Sequence, residues 1–390
     1  VTAPAEPQGL GRRDAAVALG VGVTALLIAG LQPVILGGLE REGRLTAAQI
    51  GLAATVELLA IGVTCGLAAS FLKPDRVRAK MAAASLAHAA AMAATTLVDG
   101  AAIIALRGLA GVFAGLMLWM AISAIARAAR PERLAGIFVT LQTLAQLALA
   151  AILPATVAAR YGTDGALVVL AAISALTALA ALFGPARFAP LARSDADRTR
   201  LSPRALAGLA AAFLNLAFIV ALWVYLEPLA ALSGLTPPQA GQAVALALGF
   251  QVLGGASATA LGRRWRPAWV LIGVGLANAV ILAALWSRPD ATAFVAVVAA
   301  FGFLWLFALP FLTLLLIEID PTRRAAMQLG AAQLLGSSFG PLAASLVVGE
   351  GDVRRAILLS AVLLAVFLAT VSALAVGMRR PVPEAGDSRG

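Results

Sequence analysis

Two residues of opposite charge, Glu57 and Arg107, stand deep inside long apolar stretches. A charge at bilayer depth costs roughly 2.5–3.5 kcal/mol on insertion scales, so each needs a reason to be there. Both stretches run in the same direction across the membrane. Glu57 lies about ten residues in and Arg107 about six, a depth difference of about 6 Å at ~1.5 Å per helical residue. The two are therefore within reach of one another. A carboxylate that alternates between a paired and an unpaired setting binds and releases a proton. Three readings stay open at this point: a proton carrier made of both residues, a static ion pair, and an anion-binding Arg107 with Glu57 uninvolved.

Other polar groups form a second tier. Glu227 precedes Pro228 in an apolar stretch, which suits either a cavity carboxylate beside a proline-weakened helix or a residue at the membrane surface. Trp223 and Tyr225 just before it fit a stacking platform or an interfacial aromatic belt. Gln32, Gln142, Gln146, Asn215, Gln251, Asn278, Gln328 and Gln333 place amides inside apolar stretches. His88 is the single histidine and Cys65 the single cysteine. No nucleophile, base and orienting group can be assembled from them, so the chain does not read as an enzyme. No zinc spacing, phosphate loop or dinucleotide turn occurs in a supporting context, and no metal or cofactor is expected.

The elements that must carry these residues are membrane helices. The chain is 61% hydrophobic and 12% charged, with a mean hydropathy of +0.95. A soluble fold of 390 residues cannot hide that much apolar side chain. The apolar runs are about 18 to 27 residues long, enough to span ~30 Å of hydrocarbon as helix. Twelve segments are predicted: 15–39, 47–72, 81–98, 101–126, 134–159, 163–184, 205–233, 238–262, 268–287, 291–317, 325–349 and 353–378. The alanine-rich 81–98 is the weakest.

Positive charge sets the orientation. With the N-terminus inside, 22 of the 29 Lys and Arg fall on the inner side, six on the outer side and Arg107 within a helix. That split accounts for the net charge of +10 without a nucleic-acid partner. The run after Arg12 and Arg13 is long for a signal peptide and is followed by eleven further spans, so it reads as an anchored first helix.

The second half repeats the first. Leu45-Thr46-x-x-Gln49-x-Gly51 returns 190 residues later as Leu235-Thr236-x-x-Gln239-x-Gly241. Pro131-x-Arg133-x-Ala135 returns at the same offset as Pro321-x-Arg323-x-Ala325. Gln146-Leu147 with Pro154 answers Gln333-Leu334 with Pro341. The expected organisation is a cytoplasmic tail (1–14), a six-helix bundle (15–184), a cytoplasmic linker (185–204), a second six-helix bundle (205–378) and a cytoplasmic tail (379–390). Such duplications place a solute site between the halves.

Twelve spans, a polar middle loop and a 6+6 repeat resemble the major facilitator superfamily. The family's loop G-x-L-A-D-R-x-G-R-R is matched in part by Gly255-Ala256-Ser257-Ala258-Thr259-Ala260-Leu261-Gly262-Arg263-Arg264, with Thr259 in the acid's place. An earlier copy begins at Gly66-Leu67-Ala68-Ala69-Ser70, with Ser70 there. The fourth segment, Ile103-x-x-x-Arg107-x-x-x-Gly111-x-x-x-Gly115, is similar to the family's intramembrane arginine motif. The exporter pattern G-x-x-x-G-P appears in segment eleven as Gly336 to Gly340-Pro341.

The resemblance implies an all-α integral membrane protein with 12 transmembrane helices in two pseudo-symmetric six-helix bundles. It implies gating roles for Ser70, Thr259, Gly262, Arg263, Arg264, Gly340 and Pro341, and a cavity lined by segments one, four, seven and ten. Gln32, Trp119, Asn215, Glu227 and Trp305 are the cavity candidates, with Pro310 as a bend. The expected function is proton-coupled secondary transport through Glu57 and Arg107 by a monomer in the inner membrane, both termini cytoplasmic. Export of a small amphipathic compound leads; import of a small anionic metabolite and a non-transporting receptor or assembly factor are the alternatives.

Overall fold

The computed structural model describes residues 11–189, 201–261, 265–349 and 352–377. Every regular element among them is helical: α1 Arg12–Arg41, α2 Ala47–Phe71, α3 Val77–Ala94, α4 Ala101–Ile125, α5 Pro131–Ala155, α6 Val157–Ala181, α7 Pro203–Trp223, α8 Leu226–Leu232, α9 Pro237–Leu261, α10 Pro267–Trp286, α11 Ala291–Ile319, α12 Arg324–Val348 and α13 Arg355–Gly377. Eleven of them are long and apolar enough to cross a bilayer. The shorter, alanine-rich α3 packs against α4 and α6 as the twelfth. The helices match the twelve expected segments, with one span broken into α7 and α8. Pro228 explains the break, because its ring displaces the carbonyl of Val224 one turn earlier. The chain turns at Val224 and Tyr225, then resumes as α8.

The repeated motifs start and place equivalent helices. Thr46 and Gln49 form a reciprocal cap on α2: the Thr46 amide donates to Gln49 Oε1 at 2.9 Å and the Gln49 amide to Thr46 Oγ1 at 3.3 Å. At α9 the Thr236 amide donates to Gln239 Oε1 at 2.8 Å. The contacts within the halves correspond too. α2 lies on α4 as α9 lies on α11, and α3 lies on α6 as α10 lies on α13. The halves meet through α2 against α12 and through α5 against α9, two contacts that the repeat exchanges.

That exchange is reciprocal to the residue. A Cβ on Gly51 would lie 2.5 Å from the Pro341 carbonyl, and one on Gly241 would lie 2.5 Å from the Pro154 ring. Each half thus sets its motif glycine against the other half's proline. Farther along, Gly62 faces Leu334 and Gly249 faces Leu147, the paired leucines of the same motifs. Positions 51, 55, 62 and 66 fall on one stripe of α2. Contact to α12 loosens along it: Thr55 Oγ1 reaches the Ser338 carbonyl at 3.2 Å, a Cβ on Gly62 would be 3.7 Å from Leu334, and one on Gly66 would meet nothing within 4 Å. The halves are clasped at the end bearing the 42–46 turn and part toward the face where α1 begins and α13 ends.

Within each half, glycine brings backbones together. Gly111 of α4 sits against the Glu57 carbonyl of α2, and Gly302 of α11 sits against the Ala247 carbonyl of α9. Gly302→Ala should therefore overpack that crossing and cost about 1–3 kcal/mol. Gly273→Ala, with nothing within 4 Å of the new Cβ, should be neutral or slightly stabilising. Thermal unfolding of the two purified variants in detergent checks the contrast.

Candidate functional site

Glu57 and Arg107 are brought together. Both are fully buried, and Arg107 Nη2 lies 3.5 Å from Glu57 Oε1. The α2–α4 crossing at Gly111 sets that distance. Arg107 Nη2 also donates to the Met92 sulfur of α3 at 3.0 Å. One turn back on α3, His88 is buried and shares a 2.9 Å hydrogen bond with Ser174 of α6. α6 seals His88 from lipid, which sequence periodicity in an alanine-rich helix does not reveal.

Much of this cluster's bonding capacity is unused by protein atoms. Both Glu57 carboxylate oxygens, Arg107 Nε and Nη1, His88 Nε2 and Ser85 Oγ are buried without a hydrogen-bond partner. Buried polar atoms in this number call for water or a proton among them. By the matching glycine contacts, Gly111 on Glu57 and Gly302 on Ala247, Glu57 and Arg107 correspond to Ala247 and Val298. The second half therefore makes the same helix crossing with no charge, so packing alone does not require the pair.

A second ion pair spans the halves. Arg41 at the end of α1 donates to Glu227 of α8, whose side chain is buried. Gly37 leaves room for that carboxylate; a Cβ there would lie 2.6 Å from Glu227 Oε2. The pair borders a cavity of about 430 Å³ that Glu42, Thr163, Pro154 and Pro237 also line. Glu42 Oε1 accepts from the Thr163 amide at 2.7 Å and its hydroxyl at 2.8 Å, closing the turn at Gly162. Beneath the pair, Trp223 Nε1 donates to the Ala29 carbonyl of α1 at 3.2 Å. Its ring meets Trp305 edge-on at 5.3 Å.

Arg44, which the sequence marks only as an outer-loop cation, is a hub of the clasped end. It bonds Asp99, Asp164 and the carbonyls of Thr95 and Val98. Partial burial pulls its guanidinium down, but the bonds to Asp99 and Asp164 outweigh this and hold it above its usual value.

The remaining candidates distribute unevenly. Gln32 and Asn215 are fully buried, and none of their amide atoms has a partner. Gln32 lies one turn beyond Ala29, near the Trp223–Trp305 pair. Trp119 is buried on α4. Trp223 and Tyr225 are both fully buried at the seam rather than in an interfacial belt. Gly340 abuts the Ala217 carbonyl of α7 while Pro341 faces α2, so both stand where α12 touches each half.

Ser70 and Thr259 are exposed and bond back to their own helices, at the Gly66 carbonyl (3.0 Å) and the Gly255 carbonyl (2.9 Å). Gly262, Arg263 and Arg264 lie outside the described residues, as do 1–10, 190–200 and 378–390 of the expected tails and linker. Asp320, at the end of α11, ties down the start of α12 and is also acted on by Arg324. It accepts from the Thr322 hydroxyl (2.6 Å) and the Ala325 amide (2.9 Å), and these bonds hold its carboxyl below the usual range. Arg41 and its clasp escaped the sequence reading, since nothing local links residues 186 positions apart.

The sequence model of the Major Facilitator Superfamily matches residues 17–338. A solved structure of a point mutant of the nucleoside transporter NupG is similar over 93% of this chain and 100% of that one, with a TM-score of 0.76 and 12% identity. A bacterial homologue of the human lysosomal transporter Spinster, solved in an inward-facing and occupied conformation, is similar over 95% of this chain and 97% of that one, with a TM-score of 0.63 and 14% identity. No curated protein sequence matches the chain significantly.

Removing one partner of a buried pair strands the other charge at a cost of about 3–5 kcal/mol. Glu57→Ala or Arg107→Val alone should lower stability by that order. The double variant, which copies residues 247 and 298, should recover most of the loss. Unfolding midpoints of the three proteins in detergent test this.

Proposed function

This chain belongs to the major facilitator superfamily, and on that premise we propose that it is a proton-coupled secondary active transporter working by alternating access. The moving units are 15–184 and 205–378, joined by 185–204. The positive-inside asymmetry puts both termini in the cytoplasm, in the inner membrane of the cell, and the working unit is a monomer. The clasped end is then the outer one, and the seam loosens toward the cytoplasm.

One observation carries the coupling assignment: a sealed, under-bonded Glu57–Arg107 pair in one half, at a crossing that the other half builds from Ala247 and Val298. A scaffold that packs as well without the charges keeps them for something other than packing. Glu57 is the proton carrier and Arg107 the switchable partner. Arg107 is fully buried against Glu57 and Met92, which favours this role over that of counter-ion to an anionic solute.

The solute is a small amphipathic compound moving outward. Support comes from the Trp223–Trp305 pair at the seam, which offers an aromatic surface, and from the unpaired amides of Gln32 and Asn215, which offer a few directional bonds. The Arg41–Glu227 pair and the glycine–proline contacts form the outer gate. Gly340 and Pro341 act in it, while Ser70, Thr259, Gly262, Arg263 and Arg264 act at the inner face when it closes.

A thermal-shift screen of purified protein against amphipathic cations, drugs and nucleosides (the last prompted by the NupG likeness) identifies the solute, since a ligand of the folded state raises its melting temperature. With that solute in proteoliposomes, Glu57→Gln should abolish uphill, proton-driven transport and leave counterflow intact. Unchanged uphill transport would remove Glu57 from the mechanism.

The gate makes its own prediction. Glu227→Gln should weaken the clasp and raise thiol labelling of Ala158→Cys, which lines the cavity beside the pair, on a Cys65→Ser background. Labelling equal to that of the parent protein would show that the pair does not hold the seam.

A further inference from the structure

Away from the seam, on the face where α1 begins, a pocket of about 850 Å³ opens beside the α2–α3 loop. Lys73, Arg76, Arg78 and Arg187 line it together with one acid, Asp75. That acid is already taken: Lys80 bonds it at 2.8 Å and holds its carboxyl below the usual range. Arg78 spends its Nε on the Gly184 carbonyl. Lys73, Arg76 and Arg187 are exposed, and none forms a salt bridge among the described residues, although Arg76 also acts on the neighbouring Asp75.

The walls are set before any ligand arrives. The Val77 amide donates to the Ala186 carbonyl at 2.9 Å and the Phe188 amide to the Pro74 carbonyl at 2.8 Å, strapping the segment after α6 to the α2–α3 loop. Arg127 stacks on Phe188 at 5.1 Å and pins the strap from the other side. Arg76 keeps a left-handed backbone, φ 46°, which a non-glycine residue holds only against strain.

The apolar surroundings specify the ligand further. Phe71 and Leu72 end α2 just before Lys73, and Leu182 and Phe183 follow α6 just before Arg187; all four are exposed. They stand at the helix ends, level with the boundary between hydrocarbon and headgroups. Phe183 also carries the Arg13 guanidinium over its ring at 5.3 Å, adding a cation on this side. A cationic pocket within a few residues of exposed apolar helix ends fits a molecule with an anionic head and acyl chains.

We propose that this pocket is a binding site for the phosphate headgroup of an anionic phospholipid. Lys73, Arg76 and Arg187 hold the phosphate, and Phe71, Leu72, Leu182 and Phe183 border the acyl chains. The site joins α2, α3 and the end of α6, so an occupied site ties the entrance of the middle linker to the first half.

Native mass spectrometry of the full chain, titrated with phosphatidylglycerol against phosphatidylcholine, tests it. Lys73→Gln/Arg76→Gln/Arg187→Gln should weaken phosphatidylglycerol binding on the order of 100-fold and leave phosphatidylcholine binding and the melting temperature in phosphatidylcholine unchanged. Arg160→Gln/Arg288→Gln, on the opposite face, should leave both lipids unaffected. If the triple variant does not fold, Arg187→Gln alone should give about a fivefold loss. Wild-type-like phosphatidylglycerol binding by whichever of these variants folds overturns the proposal. So does protection by millimolar inorganic phosphate equal to that by the lipid, which would make this a site for a soluble anion. An equal loss in the opposite-face control would reduce the effect to net charge.

Discussion

Everything in this molecule hangs on how closely two backbones approach where the halves meet. Gly51 lies against Pro341, and Gly241 against Pro154, with no side chain between them. In a bilayer, helices gain no hydrophobic free energy from leaving lipid, so close van der Waals contact supplies much of what holds them together. Because the contact is exchanged between two copies of one unit, it is self-complementary in the manner of a two-fold interface. A seam of this kind has a natural axis. Tight beside the 42–46 turn and loose toward the far end, it holds the halves most firmly at one face.

The charges obey a different constraint. Lipid offers no water to a buried polar group, so each must be bonded within the protein or be wanted unbonded. Arg44 shows the first solution, with carboxylates and carbonyls around it. Glu57, Arg107 and His88 show the second, with several atoms unpartnered inside the first half. The asymmetry between the halves turns this into an argument about role. Duplication supplied the same crossing twice, and the charge stands on one copy only. The two halves have therefore divided the work: one carries the ionisable pair, the other the Trp223–Trp305 pair and the broken α7–α8 span.

The two ends of the molecule are built differently. The clasped end is closed by glycine contacts, the Arg41–Glu227 pair and the Glu42–Thr163 brace. At the other end Ser70 and Thr259 are exposed and satisfied within their own helices. Each hydroxyl is spent on its own helix, so neither of these bonds ties this end across to the other half.

Much of this was determined by sequence alone. Runs of apolar residues fixed the spans to within a few positions, since only a helix of about 20 residues satisfies its backbone across hydrocarbon. The repeated Leu-Thr-x-x-Gln-x-Gly motif announced the duplication, and the depths of Glu57 and Arg107 put them within reach of one another, because position along a membrane helix converts directly into depth. Tertiary structure alone decided lateral neighbours. Arg41 with Glu227, Trp223 with Trp305, His88 with Ser174 and the strap of 186–188 on the α2–α3 loop each join helices distant in the chain. Hydropathy is nearly uniform around these helices, so the sequence carries no signal for which face turns inward. Only the packing of all twelve spans settles that.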